Sequence, residues 1–228
     1  MGRLPVVAAN FAITADGKIA TRRFSSSTFT SPADKRRMLD IRARHDAILV
    51  GAATLTSDQM TLRLPDEALQ AARERLGLPP EPIRAIVSTS GHVDPEARVF
   101  RTGGTPPTLY VGNQIPAATH RRLSDLARVV VMPGPTVSPG AVLADLAKHH
   151  RARRVLCEGG PRLLRSLLAE GLLHTLFLTL APRIFGGAKA PTLTGVLPAP
   201  LPRSLSARRV AMEIIGSECF LEYRLQKL

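Results

Sequence analysis

The sequence has no tryptophan and only two tyrosines, so the aromatic platforms on which single-stranded bases stack are in short supply. Cysteine is equally scarce. Cys157 and Cys219 both lie in apolar, strand-like runs and read as buried thiols of a reducing, cytoplasmic setting. No group of cysteines and histidines has metal-ligand spacing, so no metal site is expected. Long hydrophobic runs are missing, and nothing approaches the length of a membrane span. The apolar start, MGRLPVVAANFA, soon meets Asp16 and Lys18; it reads as a first strand and not as a signal peptide. No G-x-G-x-x-G, G-x-x-x-x-G-K-[ST] or G-x-S-x-G occurs. That argues against a standard dinucleotide fingerprint, a P-loop and a nucleophile elbow.

Negative charge is also in deficit: 18 acidic residues face 31 lysines and arginines, a net charge of +13. Such an excess suits nucleic acid, an anionic surface or small phosphorylated ligands. The basic residues are scattered, as at Arg22-Arg23, Arg121-Arg122 and Arg208-Arg209, and no polybasic tail forms. The charge is expected to keep the chain soluble and to favour anionic ligands, with nucleic acid a minor reading. With 44% hydrophobic residues in 228, a sizeable core is available.

The most informative stretch is Arg154 to Gly171, RVLCEGGPRLLRSLLAEG. Val155 to Cys157 has the apolar character of a buried strand. Glu158, Gly159 and Gly160 turn out of it, and Pro161 suits the first position of a helix. Leu163, Leu164, Leu167 and Leu168 share one helical face, and Gly171 stops the helix. Two glycines before a helix start let a ligand approach the backbone, and the free N–H groups there favour phosphate. A tight turn with no ligand gives the same pattern. Glu158 favours a functional reading, because a carboxylate at the carboxyl end of a buried strand lies where open α/β sheets bind ligands.

Similar units recur along the chain. Pro5 to Thr14 reads as an interior strand, turned by Ala15 to Lys18 and continued briefly by Ile19 to Thr21, and residues 22 to 30 read as loop. Ser31-Pro32-Ala33-Asp34 is a helix start with Asp34 in the capping-box place, and that helix runs to about Arg44. Asp46–Val50, Arg84–Ser88, Thr108–Gly112 and Val129–Met132 read as strands; Thr54–Asp58, Asp66–Leu76, Ala117–Leu126 and Pro139–His150 read as helices. His174–Ala181 is a further strand. Ala207–Ile215 and Cys219–Leu225 form a hairpin through Gly216-Ser217. The alternation predicts one α/β domain over residues 1–228, its sheet mostly parallel with an antiparallel C-terminal edge. The strand ends at Gly51–Thr54, Ser88–Gly91 and Glu158–Pro161 then fall on one ligand edge. The six histidines read as surface or boundary residues.

Four segments together resemble the pyrimidine reductase family of riboflavin biosynthesis, with its dihydrofolate-reductase-like fold. They are NFAITADGKIAT (10–21), TSPADKRRMLDIRARHDAILVGAAT (30–54), VLCEGGPRLLRSLLAEG (155–171) and LTLAPRIFGG (178–187). The resemblance implies NADPH as cofactor, touched by Thr54, Asp58 and Thr89 and by the turn Gly159, Gly160, Pro161, Arg162, Leu163 and Leu164. It implies a small phosphorylated pyrimidine as substrate, met by Asn10, Ser26, Arg42, Leu62, Arg63 and Glu158. Glu158 and Asp16 are implied as catalytic, Asp16 within the family's Ser/Thr-x-Asp-Gly turn. Also implied are a homodimer and a reductase that stands apart from the zinc deaminase to which this domain is often fused.

The implied reaction is hydride delivery to ribose C1′ of 5-amino-6-(5-phosphoribosylamino)uracil or its diamino-pyrimidinone counterpart. The chain departs from the pattern at Asp58-Gln59-Met60, where the family commonly has Asp-Asp-Pro, and at Thr28, where an aromatic residue is common. Two alternatives stay open: a reductase of the same fold with another small heterocyclic or carbonyl substrate, and a non-catalytic module binding anionic ligands or nucleic acid.

Overall fold

The computed structural model describes residues 3–21, 26–196 and 199–226. Nine strands form one sheet: β1 (Val6–Thr14), β2 (Ala47–Gly51), β3 (Ile83–Val87), β4 (Thr108–Val111), β5 (Arg128–Val131), β6 (Arg154–Gly159), β7 (Leu173–Ala181), β8 (Ala207–Ile215) and β9 (Glu218–Leu225). The order across the sheet is β5-β4-β3-β2-β6-β1-β7-β9-β8. Every pairing from β5 to β7 is parallel, whereas β9 runs antiparallel to both β7 and β8. This is the mostly parallel α/β sheet with an antiparallel C-terminal hairpin that the sequence predicts.

The helices are α1 (Ser26–Phe29), α2 (Pro32–Ala43), α3 (Ala52–Ser57), α4 (Glu67–Arg75), α5 (Arg98–Arg101), α6 (Ala117–Ser124), α7 (Pro139–His150) and α8 (Pro161–Ala169). None of them is long and apolar enough to cross a membrane. The start of α2 forms as expected, with the Ser31 hydroxyl accepting from the Asp34 amide. Glu218, in the hairpin, in turn accepts from the Ser31 amide at 2.8 Å and the Ser31 hydroxyl at 2.5 Å, which ties the hairpin to α2.

Alternation along the central strands sends side chains to opposite faces. Ala47, Leu49, Ala85 and Tyr110 join one core with Val142 and Leu146 of α7 and Leu164 and Leu167 of α8. Ile48, Val50, Ile86 and Leu109 join the other with Leu55 of α3 and Leu123 of α6. Each such fully buried aliphatic chain contributes about 1.5–3 kcal/mol. A smaller cluster brings Ala8 and Leu156 against Ile41 of α2, and this contact fixes where Arg42 points.

Several readings need correction. Ile19–Thr21 does not continue a strand; only an isolated bridge joins Lys18 to Thr192. Helix α1 lies inside the stretch read as loop, residues 22–25 of which lie outside the described residues. Helix α5 was not foreseen; an Asp94 carboxylate bonded to the Glu96 amide leads into it. His45 is buried, with Nδ1 2.7 Å from the Ile41 carbonyl, and burial holds its pKa below the usual value. Some of the cations lie inside the fold. Arg73 and Arg84 are 1% and 6% exposed. Arg73 donates to the carbonyls of Ala43, His45 and Pro79, and Arg84 to those of Val99, Gly103 and Thr105. Both serve as internal clamps on loops.

Candidate active site

The carboxyl ends of β2, β3 and β6 fall on one edge, as parallel pairing requires. A cleft of about 340 Å³ opens there, bounded by the ends of β1 and β6, the start of α2, and α3. Two glycines shape its floor. A Cβ on Gly159 would lie 2.5 Å from Cγ2 of Thr54, so no larger residue fits without displacement. Gly160 caps α8 at φ +82°, the left-handed region that glycine tolerates best, and a Cβ there would stand 3.6 Å from the Gly51 Cα, in ordinary contact.

The pairing of β6 with β2 passes from Cys157↔Leu49 to Gly159↔Val50, so Glu158 is the extra residue of a bulge. Its side chain lies on the Leu156 face, toward α2. There Arg42 Nε donates to Glu158 Oε1 and Nη2 to Oε2, both at 2.6 Å. The pair is almost dry, at 5% exposure for Arg42 and 9% for Glu158. The third nitrogen, Nη1, donates to the Arg63 carbonyl at 2.7 Å, which ties the 58–63 loop to the same guanidinium. Next door, Cys157 faces the core, and desolvation pushes its thiol up to about 12, which leaves it an inert thiol.

The structure brings seven of the sequence-derived residues into the cleft wall: Asn10, Thr54, Asp58, Glu158, Gly159, Gly160 and Pro161. Others lie elsewhere. Arg42 stands behind Glu158. Leu62 is fully buried in the second core at φ +56°, so its side chain faces away. Arg63 turns outward to Glu81 at 2.7 Å and the Thr102 carbonyl at 2.6 Å. Leu163 and Leu164 point into the first core, and the Leu164 amide is already bonded to the Gly160 carbonyl. Arg162 is exposed on α8. Thr89 is exposed at the end of β3, outside the cleft wall but on the same edge. Ser26 begins α1, and its side chain lies outside the described residues.

Asp16 is committed to its own turn. It accepts from the Thr14 hydroxyl at 2.5 Å, the Gly186 amide at 2.7 Å and the Phe185 amide at 3.1 Å. These bonds, the Thr14 one foremost, hold its pKa near 2. It fixes the segment that carries Ile19 and Ala20 into the cleft wall.

Asp34 and Met60 are among the wall residues that the sequence reading did not assign to the site. Asp34 faces the cleft with Met38 one helical turn on, and its Oδ1 accepts from the Thr179 hydroxyl at 2.6 Å. The capping-box position pointed to a backbone partner instead. Met60 lines the cleft beyond Gln59, which takes φ +49° to end α3.

Comparison with known proteins agrees with this geometry. A protein of Archaeoglobus fulgidus named 2,5-diamino-6-ribosylamino-4(3H)-pyrimidinone 5′-phosphate reductase is 30% identical over 192 residues, 83% of this chain and 85% of that one. The riboflavin biosynthesis protein RibD of Chlamydia pneumoniae is 32% identical over 82% of this chain, which spans 48% of that protein. A pyrimidine reductase-like protein of Corynebacterium diphtheriae has the same fold at a TM-score of 0.85, with 22% identity and coverage of 98% and 92% of the two chains. The family model for the RibD C-terminal domain matches residues 5–217, a range that holds β1 to β8, the Gly159-Gly160 turn and the Arg42–Glu158 pair: this chain belongs to that family.

Proposed function

We propose that residues 1–228 form one reductase domain that uses NADPH to reduce a phosphoribosylamino-pyrimidine to its ribityl form. The observation that carries this reading is the junction at Glu158–Gly159, where a backbone cradle and a fixed carboxylate share one cleft. The residues fit a dinucleotide. The bare backbone of Gly159 and Gly160, at the start of α8, suits a diphosphate. Thr54, Asp58 and Thr89 lie along the same edge for the remainder of the cofactor, with the exposed Arg162 beside the turn.

NADPH, when bound, supplies the hydride. In the balanced reaction the hydride adds to ribose C1′, the C1′–O4′ bond opens and O4′ takes a proton, while the nicotinamide is oxidised. What the chain contributes is orientation. Glu158, held by Arg42 on both oxygens, accepts a hydrogen bond from the ribosylamine and aligns C1′, with Asn10 and Asp34 across the cleft. Arg42, Leu62, Arg63 and Asp16 act behind the wall as positioning residues. Arg42 and the Arg63 carbonyl link Glu158 to the 58–63 loop, and Asp16 fixes the 14–20 segment.

The measurement is fluorescence titration with NADPH and NADH, followed by addition of the phosphoribosylamino-pyrimidine and mass analysis. Preferential NADPH binding and a product two mass units heavier are expected. NADPH binding without oxidation would move the substrate elsewhere, and no binding would favour the anion-binding module. Two free thiols, Cys157 and Cys219, suit a cytoplasmic setting. A homodimer has support in β8, an edge strand exposed along its length with Val210, Met212, Ile214 and Ile215 uncovered. Ile214→Lys should then leave a folded monomer in light scattering, and an unchanged mass would remove β8 from the interface.

A further inference from the structure

A second concavity, of about 670 Å³, lies at the opposite end of the strands from the cleft and shares no lining residue with it. Strand β1 joins the two: Val6, its first residue, lines the second concavity, and Asn10, Phe11 and Ala12 line the cleft. We propose that this second concavity binds a small organic anion, a phosphate or carboxylate carried on an apolar body of about one ring. The floor is apolar. Leu168 from α8, Leu173 from β7, Leu225 from β9 and Leu205 line it, with Val6 42% exposed at the rim. Ligand pockets of this size combine such walls with a few placed polar groups.

The polar groups are of one kind. Arg203, Arg224 and His174 line the concavity, and among its described lining residues there is no carboxylate. Among the described residues neither Arg203 nor Arg224 has an ion-pair partner. The pairing of β1 with β7 passes from Val7↔Leu173 to Ala8↔Thr175, so His174 is the extra residue of a bulge. The Val7 amide donates to its Nδ1 at 3.2 Å, which fixes the ring and puts the proton of the neutral imidazole on Nε2. The set is therefore rich in donors and has no anion of its own.

The sheet register adds an independent observation. Arg224 stands in register with Thr175 of β7 on one side and with Arg208 of β8 on the other. Like charges directly opposite on neighbouring strands are destabilising. The acids close in sequence do not relieve this. Glu170 turns to the Gly140 amide at 3.2 Å, and Glu222 lines a separate groove beside α2. A bound anion offsets the repulsion, and the planar fork of a guanidinium matches the oxygens of phosphate or carboxylate.

The test is calorimetric titration of the full chain with phenyl phosphate, benzoate and inorganic phosphate, each with and without NADPH. Phenyl phosphate is expected to bind with a dissociation constant below about 1 mM, at least about tenfold more tightly than inorganic phosphate, because the floor adds to the charge. Benzoate should bind more weakly than phenyl phosphate and depend on the same residues. The double variant Arg203→Gln/Arg224→Gln should weaken phenyl phosphate at least about tenfold. Leu205→Glu, which sets a carboxylate in the floor, should weaken it too. Arg121→Gln/Arg122→Gln removes the same charge from an exposed stretch of α6 and should stay within about twofold of wild type. NADPH should leave the phenyl phosphate affinity unchanged. Displacement of phenyl phosphate by NADPH would put the probe in the cleft and overturn the inference. Equal losses in the two double variants would also overturn it, as would no binding at about ten times the expected constant. Binding of phenyl phosphate at these residues in a chain that takes no NADPH would support this site and count against the reductase reading alone.

Discussion

On one side of the end of β6 the cleft wall is backbone, and on the other it is a set of paired side chains. Gly159 and Gly160 pack closely on Thr54 and Gly51, and what they offer a ligand is the bare chain at a helix start. Glu158, Arg42 and Asp34 contribute fixed charge, and each is held by a partner distant in sequence. The backbone side has no room for a Cβ at Gly159, and the side-chain side depends on partners far away in the chain.

The most damaging change should fall on the side-chain wall. Arg42→Met leaves Glu158 buried without its partner, and breaking a buried pair in this way costs about 3–5 kcal/mol. Urea unfolding should register that loss. A change below 1 kcal/mol would mean the pair is far wetter than its 5% and 9% exposures suggest.

The matching test of the backbone wall is Gly159→Ala, whose new methyl meets Thr54 Cγ2 at 2.5 Å. NADPH affinity should fall at least about tenfold, in the range of small-to-large strain costs. Adding Thr54→Ala removes the clashing methyl and should restore part of the affinity. If the double variant binds no better than the single one, the floor is not set by that contact.

The smallest effect is expected at Asp16. Its pKa lies below the ordinary 3.8, near 2, because the folded state bonds the carboxylate. The stability it adds is therefore complete above about pH 4 and is lost as the pH falls toward 2. Stability curves of wild type and Asp16→Asn should diverge at neutral pH and converge toward pH 2. Parallel curves over that window would deny the carboxylate this role.

The backbone wall was the legible one. Glycine pairs, a proline at a helix start and an apolar run are local signals, and they placed β6, the turn and α8 almost to the residue. Glu158 was legible for the same reason, as a carboxylate at a strand end. Its partnership with Arg42 was not, because 116 residues separate them and only the bulge in β6 aims one at the other. Asp34 was misread from local pattern: its neighbour Ser31 does cap α2, but the Asp34 carboxylate turns to Thr179, 145 residues away. Leu163 and Leu164 were placed in the right turn, yet their side chains belong to the core. Short elements such as α1 and α5, at four residues each, carry too little periodicity to stand out.

The division of labour at Glu158–Gly159 is tested most directly by Glu158→Gln, measured for NADPH dissociation constant and single-turnover rate on the same preparation. Glutamine keeps the shape and one acceptor for Arg42, so the fold and the neighbouring backbone cradle should survive. The account predicts a dissociation constant within about twofold of wild type and a rate lower by at least about a hundredfold. Wild-type turnover, or a loss confined to NADPH affinity, would contradict it.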